Sequence, residues 1–202
     1  VSLEYKGQYK DVTLNVSQQI DVRGGQRFFK SQSRGAEFFE ETELEMSDIQ
    51  LISFSQKTKN HVDQQYFNWD ISMNDNLFII DYWDRMNNDH LYGKRKKNDV
   101  HTLQTLLVKL LTISDVENIN ESIDLLIPWN RIIPMRVEAV GSEQIRVNDE
   151  LISVVRIDIR IDLIIGHILP KSSIWVRKEF PHYVVQSKAL DRSFTLVSVR
   201  VK

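Results

Sequence analysis

The sequence predicts a mainly β protein: a curved antiparallel sheet, or incomplete barrel, with one amphipathic helix across its concave face. Three observations carry this expectation. Apolar and polar residues alternate with period two along most of the chain, which is the signature of strands with one buried face. One segment, residues 99–112, switches to spacings of three and four. Short polar turns separate the alternating runs, and no Pro-rich linker, tandem repeat or low-complexity stretch interrupts them, so residues 1–202 read as a single β-rich domain.

The elements follow in order. Val12, Leu14 and Val16 alternate with Asp11, Thr13 and Asn15, and Arg23-Gly24-Gly25-Gln26 supplies a turn where positive φ is easy, so a first hairpin is expected there. Residues 41–46 (E-T-E-L-E-M) and 135–139 (M-R-V-E-A) alternate strictly. Further strands are predicted at 49–55, 65–70, 77–83, 173–179, 182–188 and 193–201. The clearest run is 154–165, V-V-R-I-D-I-R-I-D-L-I-I: Val155, Ile157, Ile159, Ile161 and Leu163 point one way, and Arg156, Asp158, Arg160 and Asp162 the other. About ten strands joined by short turns argue for one mainly antiparallel sheet, curved or closed.

The helical segment places Val100, Leu103, Leu106, Leu107, Leu110 and Leu111 on one stripe, with Asn98 or Asp99 positioned to cap it and His101, Gln104, Thr105 and Lys109 largely opposite. Its apolar stripe must cover something, and the greasy face of the sheet is the partner at hand. Residues 113–129 are compatible with loop, strand or short helix, because periodicity does not arbitrate over so few residues.

Composition narrows the function classes. The net charge is −2 with 27% charged residues, which argues against the broad cationic surface of a nucleic-acid binder. With no cysteine there is no disulfide, thiolate metal site or cysteine nucleophile in the chain. No apolar run approaches the ~20 residues that span a bilayer, so no transmembrane segment is expected. The first residue is Val1 rather than Met, as in a processed or trimmed product, so the chain is expected to be a soluble mature domain whose targeting segment, if any, is gone.

Catalytic chemistry has little support. The five histidines show no H-E-x-x-H spacing, and there is no G-x-S-x-G elbow, P-loop or Gly-rich dinucleotide turn, so no catalytic residue, metal or cofactor is expected. Among the acidic residues Glu40, Glu41, Glu43 and Glu45, the last three share a strand face, which reads as solvated surface; calcium draws instead on converging loop oxygens. The alternating ladder Arg156 to Asp162 reads as an outer, solvated face. Lys94, Arg95, Lys96 and Lys97 form the one dense basic run, either a contact for anionic headgroups or phosphate, or a soluble loop.

Three further stretches, Phe67-Asn68-Trp69-Asp70, residues 99–107 (D-V-H-T-L-Q-T-L-L) and the region from Ser173-Ile174-Trp175-Val176 through Pro181 to Ser198, resemble a bacterial periplasmic domain-of-unknown-function family, number 3108. Val137-Glu138-Ala139-Val140-Gly141-Ser142-Glu143 is similar to the V-x-G-x-E turn of that family. The first 60 residues match loosely, and Val184-Val185 stand where the family often has Pro-Val. The resemblance implies a fold similar to the outer-membrane lipoprotein carriers, a periplasmic location, and a lipid or lipoprotein acyl chain as partner.

The expected activity is therefore non-enzymatic binding of a hydrophobic ligand in a half-barrel cavity. The pocket candidates are Leu103, Leu107 and Leu110 on the helix with Phe67, Trp69, Ile157, Ile159, Ile161 and Trp175 on the sheet, each of which can equally be plain core. The alternative is a cell-envelope interaction or structural module whose barrel is filled by its own side chains, presenting its charged strands to a partner protein. An enzyme acting on an envelope lipid or glycan would require polar residues converging inside the cavity.

Overall fold

The computed structural model describes residues 1–47, 50–74, 77–96, 100–112, 115–127, 131–162 and 171–200. The elements are β1 (Ser2–Tyr9), β2 (Val12–Arg23), β3 (Gln26–Arg34), β4 (Phe38–Ser47), β5 (Gln50–Asn60), β6 (Gln65–Asn74), β7 (Leu77–Asp84), β8 (Asp89–Lys96), β9 (Val100–His101), α1 (Leu103–Thr112), a 3-10 turn (Val116–Asn118), β10 (Asn120–Ile127), β11 (Arg131–Val147), β12 (Glu150–Ile161), β13 (Ser172–Arg177), β14 (Val184–Lys188) and β15 (Arg192–Arg200).

These strands form one sheet in the order β8-β7-β6-β5-β4-β3-β2-β1-β15-β14-β13-β12-β11-β10-β9. Two antiparallel meanders meet where β1 pairs with β15, and the two-residue β9 joins β10 in parallel at the edge. Among the described residues the sheet is not closed, and β8 and β9 are its two edges.

Contacts between distant strands show how strongly it curls. Glu40 on β4 and Arg192 on β15 stand 3.7 Å apart although three strands lie between them in the sheet. At ~4.8 Å per strand a flat sheet would separate them by ~19 Å. Only curvature about a common interior brings them together.

The β2–β3 hairpin forms as the sequence predicts, with Arg23 opposite Gln26 and both central glycines at positive φ, as a two-residue turn that follows strand twist requires. The strands expected at 41–46, 49–55, 65–70, 77–83, 135–139, 154–165, 173–179, 182–188 and 193–201 are present as β4, β5, β6, β7, β11, β12, β13, β14 and β15, with bounds shifted by a few residues. Ile49, Leu163 to Ile165 and Val201 lie outside the described residues.

The described residues form fifteen strands, more than the roughly ten expected. The undivided surplus is β1, β8, β9 and β10, where polar residues such as Asn120, Glu121 and Ser122 sit in a strand because β11 supplies a long template for pairing. The helix is shorter than expected at its start: Val100 and His101 pair with β10, and Thr102 caps α1 by accepting a hydrogen bond from the Thr105 amide at 3.2 Å. Asn98 and Asp99 lie outside the described residues.

The interior holds two apolar clusters, one under β1, β2 and β10–β15, the other under β3–β7. Helix α1 bridges them, with Leu106, Leu110 and Leu111 in the first and Val108 in the second. Burial of Thr105 as well makes this an enclosed helix rather than a half-solvated one. No helix among the described residues is long and apolar enough to cross a membrane.

Candidate functional site: an interior cavity

Between α1 and the sheet lies a cavity of about 300 Å³. All ten consecutive strands from β4 round to β10 contribute to its wall, together with Leu103, Gln104 and Leu107 of α1. Period-two alternation aims these strand residues inward. Val16, Phe29, Leu125, Met135, Ile159 and Ile174 form its apolar lining, and Tyr5 closes one side with its hydroxyl donated to the Val184 carbonyl at 3.0 Å. Burial pushes the Tyr5 phenol far above the usual tyrosine range, so it stays neutral.

The wall is chemically divided. β10, β11 and β12 contribute only apolar side chains, Leu125, Met135 and Ile159, whereas β3, β4 and β13–β15 bring the polar Ser31, Ser33, Glu40, Thr42, Ser173, Ser187 and Arg192 interspersed with Phe29, Ile174, Val184 and Phe194. Glu40 accepts a hydrogen bond from Gln56 Nε2 at 3.1 Å. Arg192 packs its guanidinium over the rings of Tyr9 (4.9 Å), Phe38 (5.2 Å) and Phe194 (6.0 Å). Phe194 reaches over Gly7, whose missing side chain leaves room for the ring.

Of the pocket candidates read from the sequence, Leu103, Leu107 and Ile159 line the cavity. Leu110 and Ile157 are buried in the first cluster, and Phe67 and Trp69 in the second, all four outside the cavity lining. Ile161 is half-buried opposite Met135, beyond the lining. Trp175 is corrected outright: the buried residues of β13 are Ile174 and Val176, and Trp175 lies on the opposite face, donating its indole N–H to Glu143 at 2.6 Å.

The basic run is corrected too. Lys94, Arg95 and Lys96 belong to β8 rather than to a loop, so alternation puts Lys94 and Arg95 on opposite faces, paired with Ile79 and Phe78 respectively. No single cationic patch results from those two. The side chain of Lys96, and Lys97 as a whole, lie outside the described residues.

Outside the barrel, the charged ladder is a network more than a solvated row. Like charges stand directly opposite, Arg160 across from Arg136 and Asp158 from Glu138, and the diagonal pair Arg160–Glu138 closes at 3.2 Å. Glu41 and Glu43 share Lys30 at 3.5 and 2.5 Å, and the Lys30 ammonium is held above its ordinary pKa, first by its hydrogen bond to Glu43. Glu40, one residue out of step with them, is the inward one.

Glu40 and Arg192 are the functional candidates that sequence reasoning missed. A signal existed for both: Glu40 is in phase with Phe38, Thr42 and Leu44, and Arg192 with Phe194 and Leu196. A charge in the apolar phase of a strand marks an inward-facing polar group.

The comparisons with known proteins bear on the fold. No family model matches the chain, and no curated protein does. It is similar to the crystal structure of a beta-barrel-like protein of Domain of Unknown Function DUF1849 from Brucella abortus, with a TM-score of 0.60 at 11% identity over 97% of this chain and 95% of that one. The chain has a β-barrel-like fold, mainly β, and among the described residues it has one α-helix and a largely antiparallel sheet that does not close.

Proposed function

We propose that this protein binds a hydrophobic ligand, a lipid or an acyl chain, in the cavity between α1 and the curled sheet, and that it does so without catalysis in the bacterial periplasm. One observation carries the reading: an interior space of about 300 Å³ walled by Leu103, Leu107, Leu125, Met135 and Ile159 persists inside a barrel whose other apolar residues pack closely. This is the lower end of the ~300–1,000 Å³ range of small-molecule pockets. Each methylene buried there contributes ~0.8 kcal/mol, so a tail of moderate length binds without specific polar contacts. The periplasmic location and the carrier-like role are proposed from the short motifs at residues 67–70, 99–107 and 173–198, which resemble those of family 3108 although no family model matches the chain.

The test is native mass spectrometry on protein purified without detergent from its own envelope, followed by organic extraction. A stoichiometric lipid that leaves on denaturation is the expected result. A bare mass, with no uptake of an added fluorescent fatty acid, would turn the assignment to an envelope interaction module with a self-filled barrel.

A further inference from the structure

Arg192 is an unusual residue to find on a cavity wall. Three aromatic rings cover its guanidinium, and the side chain is 30% exposed. Its one charged neighbour, Glu40, approaches Nη1 at 3.7 Å, outside hydrogen-bond range, and among the described residues the guanidinium donates no hydrogen bond. Five N–H donors lie in the guanidinium plane, and contacts with ring π-faces use none of them as conventional hydrogen bonds. The guanidinium is partly solvent-exposed, so an anionic acceptor that enters the cavity reaches its donors by displacing water and replaces those contacts with charge-assisted hydrogen bonds.

The surroundings select the acceptor. Glu40 is already served by Gln56, and Lys188 at the rim adds a second cation, so the polar end carries two positive charges against one negative. Because Nη1 is turned toward Glu40, the Nε–Nη2 edge remains, a two-donor fork that matches the two oxygens of a carboxylate. The same cavity is lined by the apolar Leu103, Leu107 and Ile159.

We infer that the cavity takes a single-chain amphiphile with a carboxylate head, the head on Arg192 and the tail along Leu107 and Ile159. This rests on the cavity-binding reading above and adds the chemistry of the head. Glu40 then acts as a brake, holding affinity down by repulsion while keeping the empty guanidinium partly neutralised.

Titration calorimetry with dodecanoate, dodecanol and dodecyl phosphate, each below its micellar concentration, tests it on the wild type, Arg192→Met and Glu40→Gln. The wild type is expected to bind dodecanoate about tenfold more tightly than dodecanol, as one charge-assisted pair allows. Arg192→Met should erase that difference while still binding dodecanol, and Glu40→Gln should widen it several-fold. Equal binding of dodecanoate and dodecanol by the wild type would overturn the head-group assignment and leave cavity binding standing. Tighter binding of dodecyl phosphate than dodecanoate would overturn the carboxylate, and no binding of any probe would overturn the cavity reading itself. If Arg192→Met does not fold, Glu40→Gln decides: an unchanged dodecanoate-to-dodecanol ratio overturns the inference.

Discussion

Phe194 on β15 lies over Gly7 on β1 so closely that a methyl group on Gly7 would come within 2.6 Å of the ring's Cε1 and of the Ser193 carbonyl oxygen. The glycine is needed for space, since its φ is ordinary and the ring occupies what would be its side chain's position. Gly7→Ala must therefore push Phe194 inward, toward Arg192 and the cavity. The expected cost is about 1–3 kcal/mol of stability, as for overpacking elsewhere. Urea unfolding checks it, and a neutral substitution would show that β1 and β15 part easily.

Leu103 and Leu110 occupy the same predicted stripe but different environments. Leu110 is 2% exposed and Leu103 47%. Leu110→Ala should cost about 2–5 kcal/mol, by lost burial and a void that neighbours do not fill. Leu103→Ala should fall within about 0.5 kcal/mol of wild type, while lowering the uptake of a fluorescent fatty acid. Equal destabilisation by the two would mean that the cavity wall is plain core.

That contrast marks what was legible in the sequence. Alternation identified eleven of the strands, counting both arms of the β2–β3 hairpin, and the inward phase of Ile157 and Ile159, because a strand's two faces are written directly into its residues. It did not separate a packed residue from a cavity-lining one, since Leu107 and Leu110 satisfy the same spacing and differ only in what faces them. Trp175 was misassigned because size suggested core, although its phase, odd against Ile174 and Val176, placed it outside. The cavity's polar end depends on β4 meeting β15 across the interior, a juxtaposition made by curvature that no local pattern encodes.

The start of α1 rests on Thr102, which is 1% exposed. Its hydroxyl accepts the Thr105 amide, and its carbonyl accepts the Thr105 hydroxyl at 2.9 Å and the Leu106 amide at 3.0 Å. Thr102→Ala removes the side-chain acceptor from a buried helix end and should cost about 0.5–2 kcal/mol. Thr102→Ser keeps the oxygen and should recover most of it. If both variants lose stability equally in thermal unfolding, the threonine methyl rather than the cap is what matters.

Asp158 links the outer face of the barrel to pH. Burial pushes its carboxyl up, but hydrogen bonds from Lys171 and Ser173 and the charges of Lys171 and Arg156 outweigh it, and its pKa lies below the ordinary aspartate value. A group with a depressed folded-state pKa contributes stability that is full above its unfolded value, ~3.9, and is lost as pH falls through the folded one. Asp158→Asn is therefore expected to cost about 1–3 kcal/mol at neutral pH. Its deficit against wild type should shrink below about pH 4. Urea titrations at pH 7, 4 and 3 measure it, and a deficit independent of pH would assign the loss to packing.

Asp63 fastens the turn between β5 and β6 to the turn between β1 and β2, four strands away along the sheet. Its carboxylate accepts the Tyr9 hydroxyl, the Lys10 ammonium and the Asn60 side-chain amide, the last at 3.2 Å. Tyr9 is 5% exposed and also stacks against Arg192, so this latch holds one end of the curl beside the polar end of the cavity. Asp63→Ala leaves the Tyr9 hydroxyl without its acceptor and should cost about 1–3 kcal/mol. Tyr9→Phe in the same background removes the stranded hydroxyl, so the double variant should be more stable than the sum of the single losses by at least about 0.5 kcal/mol. Strict additivity in a double-mutant cycle would show that the two turns are held together by packing alone, and that the carboxylate merely lies nearby.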